Sequence, residues 1–352
     1  MRNLATVQEI NAVEPILGAD AIEKVRVLGW WVVVKKGEFR VGSKVVYCEI
    51  DSLLPVRPEF EFLRKSGFKP EIRTDDYYRP AGFRIKTVKL RGQVSQGICF
   101  PLSILVGVGI TQGEAQVYEG QDVTDALGIT KYDVPPLGAG GCEGTFPGFL
   151  SKTDEIRVQN LYREFPDYQG KSFVVTEKLD GTSYTAFLRA GEFGVCSRNN
   201  LVAHGGDGIY AKATALFEVE SRLRLIQDRL GGDVAVQGEL IGPKIQGNKY
   251  GLMNYELRIF NLFDICAGKY VPHYRASELL QWAGFSQVPD LGKFVLDHTV
   301  DGLVELSIST SVLNPQVQRE GIVLRWCNAT PNEVDRVSFK VINPQFLLKY
   351  DE

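Results

Sequence analysis

Short apolar runs rich in β-branched residues dominate the first hundred residues of the chain. Each is bounded by glycine, proline or charged residues, which is the pattern of β-strands separated by turns. Four such runs predict strands, at residues 25–34, 44–50, 83–90 and 94–100. The first third of the chain is therefore predicted to be an all-β module.

The pattern changes in the second half, where strand-like runs surround one long amphipathic stretch. Residues 208–230 carry apolar side chains at helical spacing and end at Gly231 and Gly232, which predicts a single long helix. Runs with strand composition occupy residues 172–176, 184–188, 193–196, 234–242, 256–265, 320–325 and 337–342, and the second and third form a hairpin with a turn at Ala190 and Gly191. This half is predicted to be a mixed domain, so the fold class of the whole chain is α+β.

The two halves are joined by a segment rich in glycine and proline. Strand spacing in residues 1–105, with one long excursion between Pro55 and Pro80, is typical of a five-stranded OB-type barrel. Residues 106–150 contain one helix-like piece at 121–128 and a glycine-rich run at 135–141, and we interpret them as a linker. That run lacks the Gly-Lys-Ser/Thr of a phosphate-binding loop. The predicted domains are 1–105 and 151–352.

Composition and charge narrow the functional classes. The chain has 352 residues, 44% hydrophobic and 24% charged, and none of its apolar runs reaches the roughly 20 residues that span a bilayer. With no signal-peptide pattern either, we expect a cytoplasmic protein. Six cysteines without a CxxC pair, and only three histidines, argue against a zinc site or a disulfide framework.

An excess of positive charge lies in the first 105 residues, which hold 17 Lys and Arg against 12 Asp and Glu, although the whole chain carries −3. Such an excess either binds a polyanion or forms a solvated face. OB barrels bind single strands by stacking bases on aromatic rings while cations follow the backbone. Trp30 and Trp31 face opposite ways if they share a strand, so only one is expected to be exposed. The stacking candidates are Trp30, Trp31, Tyr77 and Tyr78, and the phosphate-contact candidates are Arg73, Arg79, Lys86, Lys89 and Arg91.

Lys178 lies where a predicted strand ends, and Asp180 and Gly181 follow it. A lysine in this position can be a nucleophile, because the glycine lets a phosphate approach and the acid can hold a metal. The pattern alone is a weak signal. Other strands also carry single charges, each of which more often simply faces water. Together, however, three carboxylates and three cations are what a metal-assisted attack on a nucleoside triphosphate requires: Asp180, Glu239 and Glu320, with Lys178, Arg198 and Lys340.

The order of these motifs resembles the motif series of the covalent nucleotidyltransferases, which comprise DNA ligases, RNA ligases and mRNA capping enzymes. The matching segments are residues 178–181, 197–199, 238–240, 259–264, 320–323 and 338–340. Residues 152–160 further resemble RNA ligases. The barrel precedes the transferase domain, which is similar to the ATP-dependent RNA ligases with an N-terminal OB domain. The resemblance implies an ATP-grasp-like ligase domain of antiparallel sheets with flanking helices.

This resemblance also implies a reaction and a role for each matching residue. Lys178 would attack ATP to form lysyl-AMP, and the enzyme would join an RNA 3′-hydroxyl to a 5′-phosphate, in RNA repair. The implied catalytic residues are Lys178, Lys340 and Arg157. Phe260 would stack on adenine, within a nucleotide-binding set of Glu177, Lys178, Ser183, Arg198, Glu239, Phe260 and Lys340. Mg²⁺ or Mn²⁺ would be held by Asp180, Glu239 and Glu320, and Lys340 and Arg198, together with this cation, would favour the neutral amine of Lys178.

Several alternatives stay open at this stage. Related ligases often have a second lysine two residues after the position of Lys340, where this chain has Ile342. The chain could be a nucleic-acid-binding OB protein with an inactive transferase domain, or a DNA ligase or capping-type enzyme. The expected partner is RNA, either alone or in an RNA–DNA hybrid or nicked duplex, and we expect a monomer.

Overall fold

The computed structural model describes residues 3–74, 77–110, 117–133, 141–203, 207–327 and 337–350. The chain divides into two compact units. The first consists of Met1–Pro135, Val158–Pro166 and Leu347–Glu352, and the second of Pro136–Arg157 and Asp167–Phe346. Neither unit is continuous in sequence, because the segment just before the Lys178 strand belongs to the first unit.

The first unit is built mainly of antiparallel strands. A five-stranded sheet has the order Ile98–Pro101, Lys44–Cys48, Ala5–Pro15, Ile22–Val27, Trp30–Lys35, and a four-stranded sheet the order Thr130–Lys131, Ser52–Pro55, Gly82–Arg84, Phe68–Lys69. Two ribbons pair Thr87–Leu90 with Gln93–Gln96 and Ile72–Arg73 with Tyr78–Arg79. Its helical turns are Pro58–Leu63, Arg64–Gly67, Leu102–Val108 and Val158–Leu161. The predicted β-module is confirmed.

In place of each of two strands predicted for this unit, the structure has two shorter strands. The run at 25–34 is a hairpin, in which Val27 pairs with Trp30 across a turn where Leu28 has a φ of 52°. The run at 83–90 divides between the four-stranded sheet and a ribbon. Both runs keep a strand-like composition from end to end, with single charged residues such as Arg26 and Lys86 among the apolar ones, so composition does not reveal where the backbone turns.

Part of the predicted linker belongs to the core of the first unit. Val123, Leu127 and Ile129 are buried there, and the Thr124 hydroxyl accepts hydrogen bonds of 3.0 Å from the backbone N–H groups of Leu4 and Ala5. Residues 121–128 form turns instead of the predicted helical piece, because this backbone pairs with the first strand. Residues 135–140 of the glycine-rich run lie outside the described residues.

The second unit contains two sheets and most of the helices. The seven-stranded antiparallel sheet has the order Cys142–Thr145, Asn200–Val202, Glu192–Cys196, Thr182–Arg189, Val234–Ile241, Glu256–Asp264, Lys269–Tyr270. The five-stranded sheet has the order Ile156–Arg157, Ser338–Ile342, Gly321–Trp326, Ser172–Lys178, Asp290–Val295, with only its first pair parallel. The helices are Ile209–Leu216, Val219–Leu230, His273–Trp282 and Val300–Ser307, with a shorter turn at Gln246–Asn248. The turn Phe165–Tyr168 and the helix Pro344–Tyr350 each have residues in both units.

The long helix predicted at 208–230 is wrong in one respect, because it is two helices. Glu218 has a φ of 49°, which lies in the left-handed region and ends the first helix before Val219 starts the second. The apolar spacing continues across this break, so periodicity alone cannot detect it. Leu223 and Ile226 of the second helix pack with Leu279 of another helix against the seven-stranded sheet. Throughout the described residues, no helix has the length and apolar character needed to cross a membrane.

Candidate active site

Strand register brings the three predicted catalytic residues onto one face of the five-stranded sheet. Lys178 pairs with Gly321, two residues before Val323, which pairs with Lys340 on the next strand. Arg157, on the edge strand, pairs with Lys340. Paired residues of neighbouring strands, and residues two apart on one strand, point to the same side of a sheet. The side chains of Lys178, Lys340 and Arg157 therefore lie on a common surface.

Lys178 forms an ion pair with Glu320. Its Nζ lies 2.6 Å from Glu320 Oε2, and the two side chains are 26% and 15% exposed. Gly321 follows Glu320, and a Cβ at this position would overlap the Val341 carbonyl oxygen and lie 3.0 Å from the Ile342 Cα. Glycine is thus required for the three strands to close beside the ion pair.

The turn after Lys178 rests on the strand that carries Glu239. A Cβ on Gly181 would lie 2.5 Å from the Leu240 carbonyl oxygen and 2.8 Å from Glu239 Cγ. The absence of a side chain at Gly181 therefore lets the Asp180 turn approach the central strand of the seven-stranded sheet. This contact places Asp180, Glu239 and Glu320 around Lys178, as the motif pattern predicts.

Burial and mutual repulsion shift the pKa values of this cluster. Burial raises the pKa of Glu239 to about 8, and Glu320 and Asp180 act in the same direction, against the opposing effects of Lys178 and the Gly181 N–H. Burial also raises the pKa of Glu320, although its ion pair with Lys178 opposes this shift. For Lys178, burial alone would lower the pKa, but Glu320, Glu239 and Asp180 outweigh it and raise the pKa.

The Lys178 side chain is consequently an ammonium group in this state and cannot attack a phosphate. In the metal-free site Lys340 and Arg198 do not by themselves favour a neutral amine, because carboxylates are the groups that dominate the field at Nζ. Only partial neutralisation of these acids, by a proton or a cation, can lower the pKa of Lys178.

The shifted pKa of Glu239 leads to a stability prediction. Because the folded pKa of about 8 exceeds the usual 4.5, the stabilising contribution of protonated Glu239 is full below pH 4.5 and is lost as the pH rises through 8. Glu239→Gln should remove this dependence, and its advantage over wild type should reach a few kcal/mol, on the order of the shift multiplied by 1.4. Urea unfolding without metal or ATP at pH 5, 7 and 9 measures it, with exposed Glu192→Gln as control. A difference between Glu239→Gln and wild type that does not grow with pH would contradict the prediction.

Two of the three predicted metal ligands form ion pairs with lysines. Glu320 is paired with Lys178, and Asp180 Oδ2 lies 2.7 Å from Lys249 Nζ. Among the described residues, no three His, Cys, Asp or Glu side chains form a group that could hold a metal ion. The donor chemistry nevertheless fits a hard cation, since Mg²⁺ and Mn²⁺ prefer carboxylate oxygens, and a cation would relieve the repulsion that raises the pKa of Glu239. Asp180, Glu239 and Glu320 would hold it, through water or after release of the lysines.

A β-bulge sets the direction of the Phe260 side chain. In the pairing of its strand with the central strand, Gln237 faces Asn261 and Gly238 faces Ile259, so Phe260 is the extra residue. Bulges re-aim side chains and are frequent beside active sites. The ring is partly buried in a cluster with Leu179 and Tyr250, and the Arg325 guanidinium lies 5.8 Å from its centroid.

Other nucleotide-binding candidates lie farther from this cluster or point elsewhere. Ser183 pairs with Glu239 across the sheet, with its hydroxyl 3.4 Å from that of Thr153. Arg198 is exposed, and its Nη2 lies 2.7 Å from Asp154 Oδ1. Glu177 is adjacent to Lys178 on a strand and therefore faces the opposite side of the sheet.

The buried carboxylate of Glu177 holds a loop in place. Its Oε2 accepts a hydrogen bond of 2.8 Å from the Val312 N–H, and burial raises the pKa of Glu177, against the opposing effects of Ser311, Val312 and Arg319. The Glu177 side chain is therefore not placed to contact the nucleotide, although the Glu177 backbone borders Lys178.

Sequence reasoning missed three residues at this site. Lys249 pairs with Asp180, and the Tyr250 hydroxyl accepts the Asp180 backbone N–H at 2.7 Å. Arg325 shares the face of Lys178 and donates a hydrogen bond of 2.7 Å to the Thr176 hydroxyl. An arginine at an alternate position of an apolar strand was a usable signal for Arg325, but no local pattern links Lys249 or Tyr250 to residues some 70 positions away.

The nucleic-acid candidates of the first unit also separate into two groups. Trp30 is buried, with its Nε1 donating to Asn160 Oδ1 at 2.6 Å, whereas Trp31 is half-buried, with Lys24 Nζ 4.2 Å from its ring centroid. As expected for neighbours on one strand, only one of the two tryptophans is accessible, and that one, Trp31, is partly exposed. Arg79 is buried and donates to the carbonyl oxygens of Asp133 and Pro70, so its guanidinium has a structural role in place of the predicted phosphate contact.

The remaining barrel candidates stay at or near the surface. The Tyr77 hydroxyl donates a hydrogen bond of 2.6 Å to the Asp133 carbonyl oxygen, and Arg73 lies 5.0 Å from the exposed ring of Tyr78. Lys86 is half-buried, and Lys89 and Arg91 are exposed at a hairpin turn. These side chains remain candidates for contacts with nucleic acid.

Comparison with known proteins assigns the family. Residues 4–102 match a family model described as an OB-fold domain, and residues 171–342 match one described as RNA ligase. The structure of Naegleria gruberi RNA ligase with PPi is 33% identical, with a TM-score of 0.87, and the match covers 100% of this chain and 99% of that one. A mutant of that ligase with ATP and Mn gives the same identity and TM-score, with 99% of each chain covered.

A viral protein supplies a weaker match. Protein Early 65 kDa of Autographa californica nuclear polyhedrosis virus is 28% identical over 166 residues, which are 45% of this chain and only 29% of that protein. The chain therefore spans less than a third of this curated relative. The full-length structural match, the two family models and the ordered motifs around Lys178 agree, and the chain belongs to the ATP-dependent RNA ligases with an N-terminal OB-fold domain, within the covalent nucleotidyltransferases.

Proposed function

We propose that this protein joins an RNA 3′-hydroxyl to a 5′-phosphate in three steps that begin with transfer of AMP from ATP to Lys178. The observation that carries this proposal is the common sheet face of Lys178, Lys340 and Arg157, with Glu320 bound to the nucleophile at 2.6 Å. A lysine nucleophile, a proton acceptor and two further cations are what formation of a phosphoramidate requires.

Glu320 is placed to take the proton that Lys178 must lose. Its pKa is raised by burial, and it already accepts a hydrogen bond from Nζ, so the proton can move along that bond. The freed amine attacks the α-phosphorus of ATP, the bond to the β-phosphate breaks, and pyrophosphate leaves. A bound Mg²⁺ or Mn²⁺ supplies positive charge that offsets the acids and the triphosphate.

The other residues of the site position the nucleotide and neutralise its charge. Lys340 and Arg157 share the face of the nucleophile, where they stabilise charge on the phosphates. The re-aimed ring of Phe260 offers adenine a stacking surface. AMP then passes from Lys178 to the 5′-phosphate of the RNA, and the 3′-hydroxyl displaces it to form the phosphodiester bond.

Finer features of this function are also part of the proposal. The substrate is RNA, either alone or in an RNA–DNA hybrid or nicked duplex, and the role is RNA repair. We also infer that the enzyme acts as a monomer. We infer a cytoplasmic location, which is supported by six cysteines that are all free thiols.

Sealing of RNA with a labelled 5′-phosphate tests this function. With ATP and Mn²⁺, at least one of three substrates should give a product whose label resists phosphatase: a single strand, a nicked RNA duplex or an RNA–DNA hybrid. Strands with a 3′-terminal deoxyribose distinguish an RNA ligase from a DNA ligase. A protein that accepts AMP from ATP but seals none of these substrates would contradict the proposal.

Trp31 provides a test of RNA binding by the first unit. Its partly exposed ring lies beside Lys24 and Arg26, at 4.2 and 5.2 Å, so a base stacked there would also meet two cations. Trp31→Ala should lower sealing about tenfold at subsaturating RNA, since base stacking contributes about 1–3 kcal/mol, and should leave AMP transfer to the protein unchanged. Trp282→Ala, which removes an exposed tryptophan of the second unit, is the control. Equal sealing by both variants would exclude this contact.

A further inference from the structure

Lys249 is a lysine of the site that lies outside the family's motif series. Its Nζ lies 2.7 Å from Asp180 Oδ2 and donates a second hydrogen bond, of 2.9 Å, to the Gln246 carbonyl oxygen. The Lys249 and Asp180 side chains are only 18% and 17% exposed. Solvent screens such a pair less than a surface ion pair, so the interaction is stronger. The negative charge of Asp180 is thus already balanced by the positive charge of Lys249.

Tyr250 fastens the same aspartate through its backbone. The buried hydroxyl of Tyr250 accepts the Asp180 N–H at 2.7 Å, and Asn314 Nδ2 donates to the Tyr250 carbonyl oxygen at 3.0 Å. Two consecutive residues, Lys249 and Tyr250, therefore hold the carboxylate and the backbone of Asp180 at once.

The loop before Lys249 has an unusual backbone. Lys244, Gln246 and Asn248 have φ values of 67°, 45° and 47°, in the left-handed region that L side chains rarely adopt. The Asn248 side chain donates to the Leu252 carbonyl oxygen and accepts from the Leu252 N–H, at 2.9 and 3.1 Å. Such conformations persist only where the surrounding structure imposes them. The ordered loop at 244–248 therefore places Lys249 beside Asp180.

We propose that Lys249 is a positioning residue that occupies Asp180 in the metal-free enzyme and is displaced from it by the divalent cation of adenylylation. The inference rests on the proposed function, because that function assigns a cation to Asp180. A cation that takes Asp180 Oδ2 replaces the Lys249 bond, and a cation at either oxygen of this carboxylate bears the repulsion of the ammonium group. Lys249 thereby weakens metal binding before ATP is present and keeps the acidic cluster ordered without metal.

Mn²⁺ binding to the full-length, ATP-free protein tests this proposal by isothermal titration calorimetry. Lys249→Met should lower the Kd for Mn²⁺ about tenfold, because a competing charge in direct contact with the ligand is lost. Lys249→Arg keeps the charge and should bind Mn²⁺ as wild type does. The matched control is Lys244→Met, which removes the same charge from an exposed position of the same loop and should change the Kd by less than about twofold.

Each outcome decides the proposal. If wild type binds no Mn²⁺ without ATP, the appearance of binding in Lys249→Met supports it, and the absence of binding in both overturns it. Unchanged or weaker binding by a folded Lys249→Met, shown by circular dichroism, also overturns it. If this variant does not fold, Lys249→Gln retains a donor to Asp180 without the charge and should show the same tighter binding. Failure of wild type to accept AMP from ATP would instead count against the proposed function, so the two failures are distinguishable.

Discussion

Lys178→Ala and Lys178→Arg should both lose transfer of label from α-labelled ATP to the protein, by at least about a thousandfold. Alanine removes the nucleophile together with the cation that partners Glu320, whereas arginine keeps a positive charge at Glu320 but stays protonated at any physiological pH. Lys178→Arg should therefore retain most of the stability of wild type and none of its nucleophilicity. Label transfer is followed on a denaturing gel, with Mg²⁺ and Mn²⁺ each tried.

Comparison of Lys178→Ala with Lys178→Arg separates the loss of the nucleophile from a loss of stability. Lys212→Ala, at an exposed lysine of the Ile209–Leu216 helix, is the control and should be labelled as well as wild type. Acid-labile label on wild type and on this control alone would identify the phosphoramidate at Lys178. Label on a folded Lys178→Arg protein would show that another residue is the nucleophile.

Gly321→Ala should destabilise the protein by about 3 kcal/mol and abolish measurable AMP transfer. The added methyl group would overlap the Val341 carbonyl oxygen and lie 3.0 Å from the Ile342 Cα, both of which are backbone atoms. Backbone cannot rotate away as a flexible side chain can, so the strands bearing Glu320 and Lys340 would have to separate. Urea unfolding and label transfer, measured on the same preparations, check the two expected losses.

A matched glycine elsewhere controls for the general effect of alanine. Gly144 has an ordinary φ, and a Cβ there would meet no atom within 4 Å, so Gly144→Ala should leave both the free energy of unfolding and AMP transfer unchanged. If Gly321→Ala is as stable and active as Gly144→Ala, the close pairing of Gly321 with Ile342 cannot be essential to the site.

Strand ends and motif order were readable from the sequence because they are local. The apolar, β-branched run before Lys178 predicts a strand that stops at Asp180, and the observed strand is Ser172–Lys178. Turns inside runs that keep one pattern of apolar residues were not readable. Leu28 and Glu218 both adopt left-handed backbone conformations that neither residue type favours, so the hairpin and the helix break there depend on tertiary packing.

By itself the sequence determined the family and the β-rich first unit, and it predicted the nucleophile and its acids, since these depend on residue types at short spacings. Only the tertiary structure decided which charges meet. Strand register places Lys340 and Arg157 on the face of Lys178 and puts Glu177 on the other, and the loop at 244–248 brings Lys249 to Asp180 across 69 positions. Such contacts join residues far apart in the chain, and burial then affects the charges of these residues. No local sequence pattern therefore predicts the contacts or the charges.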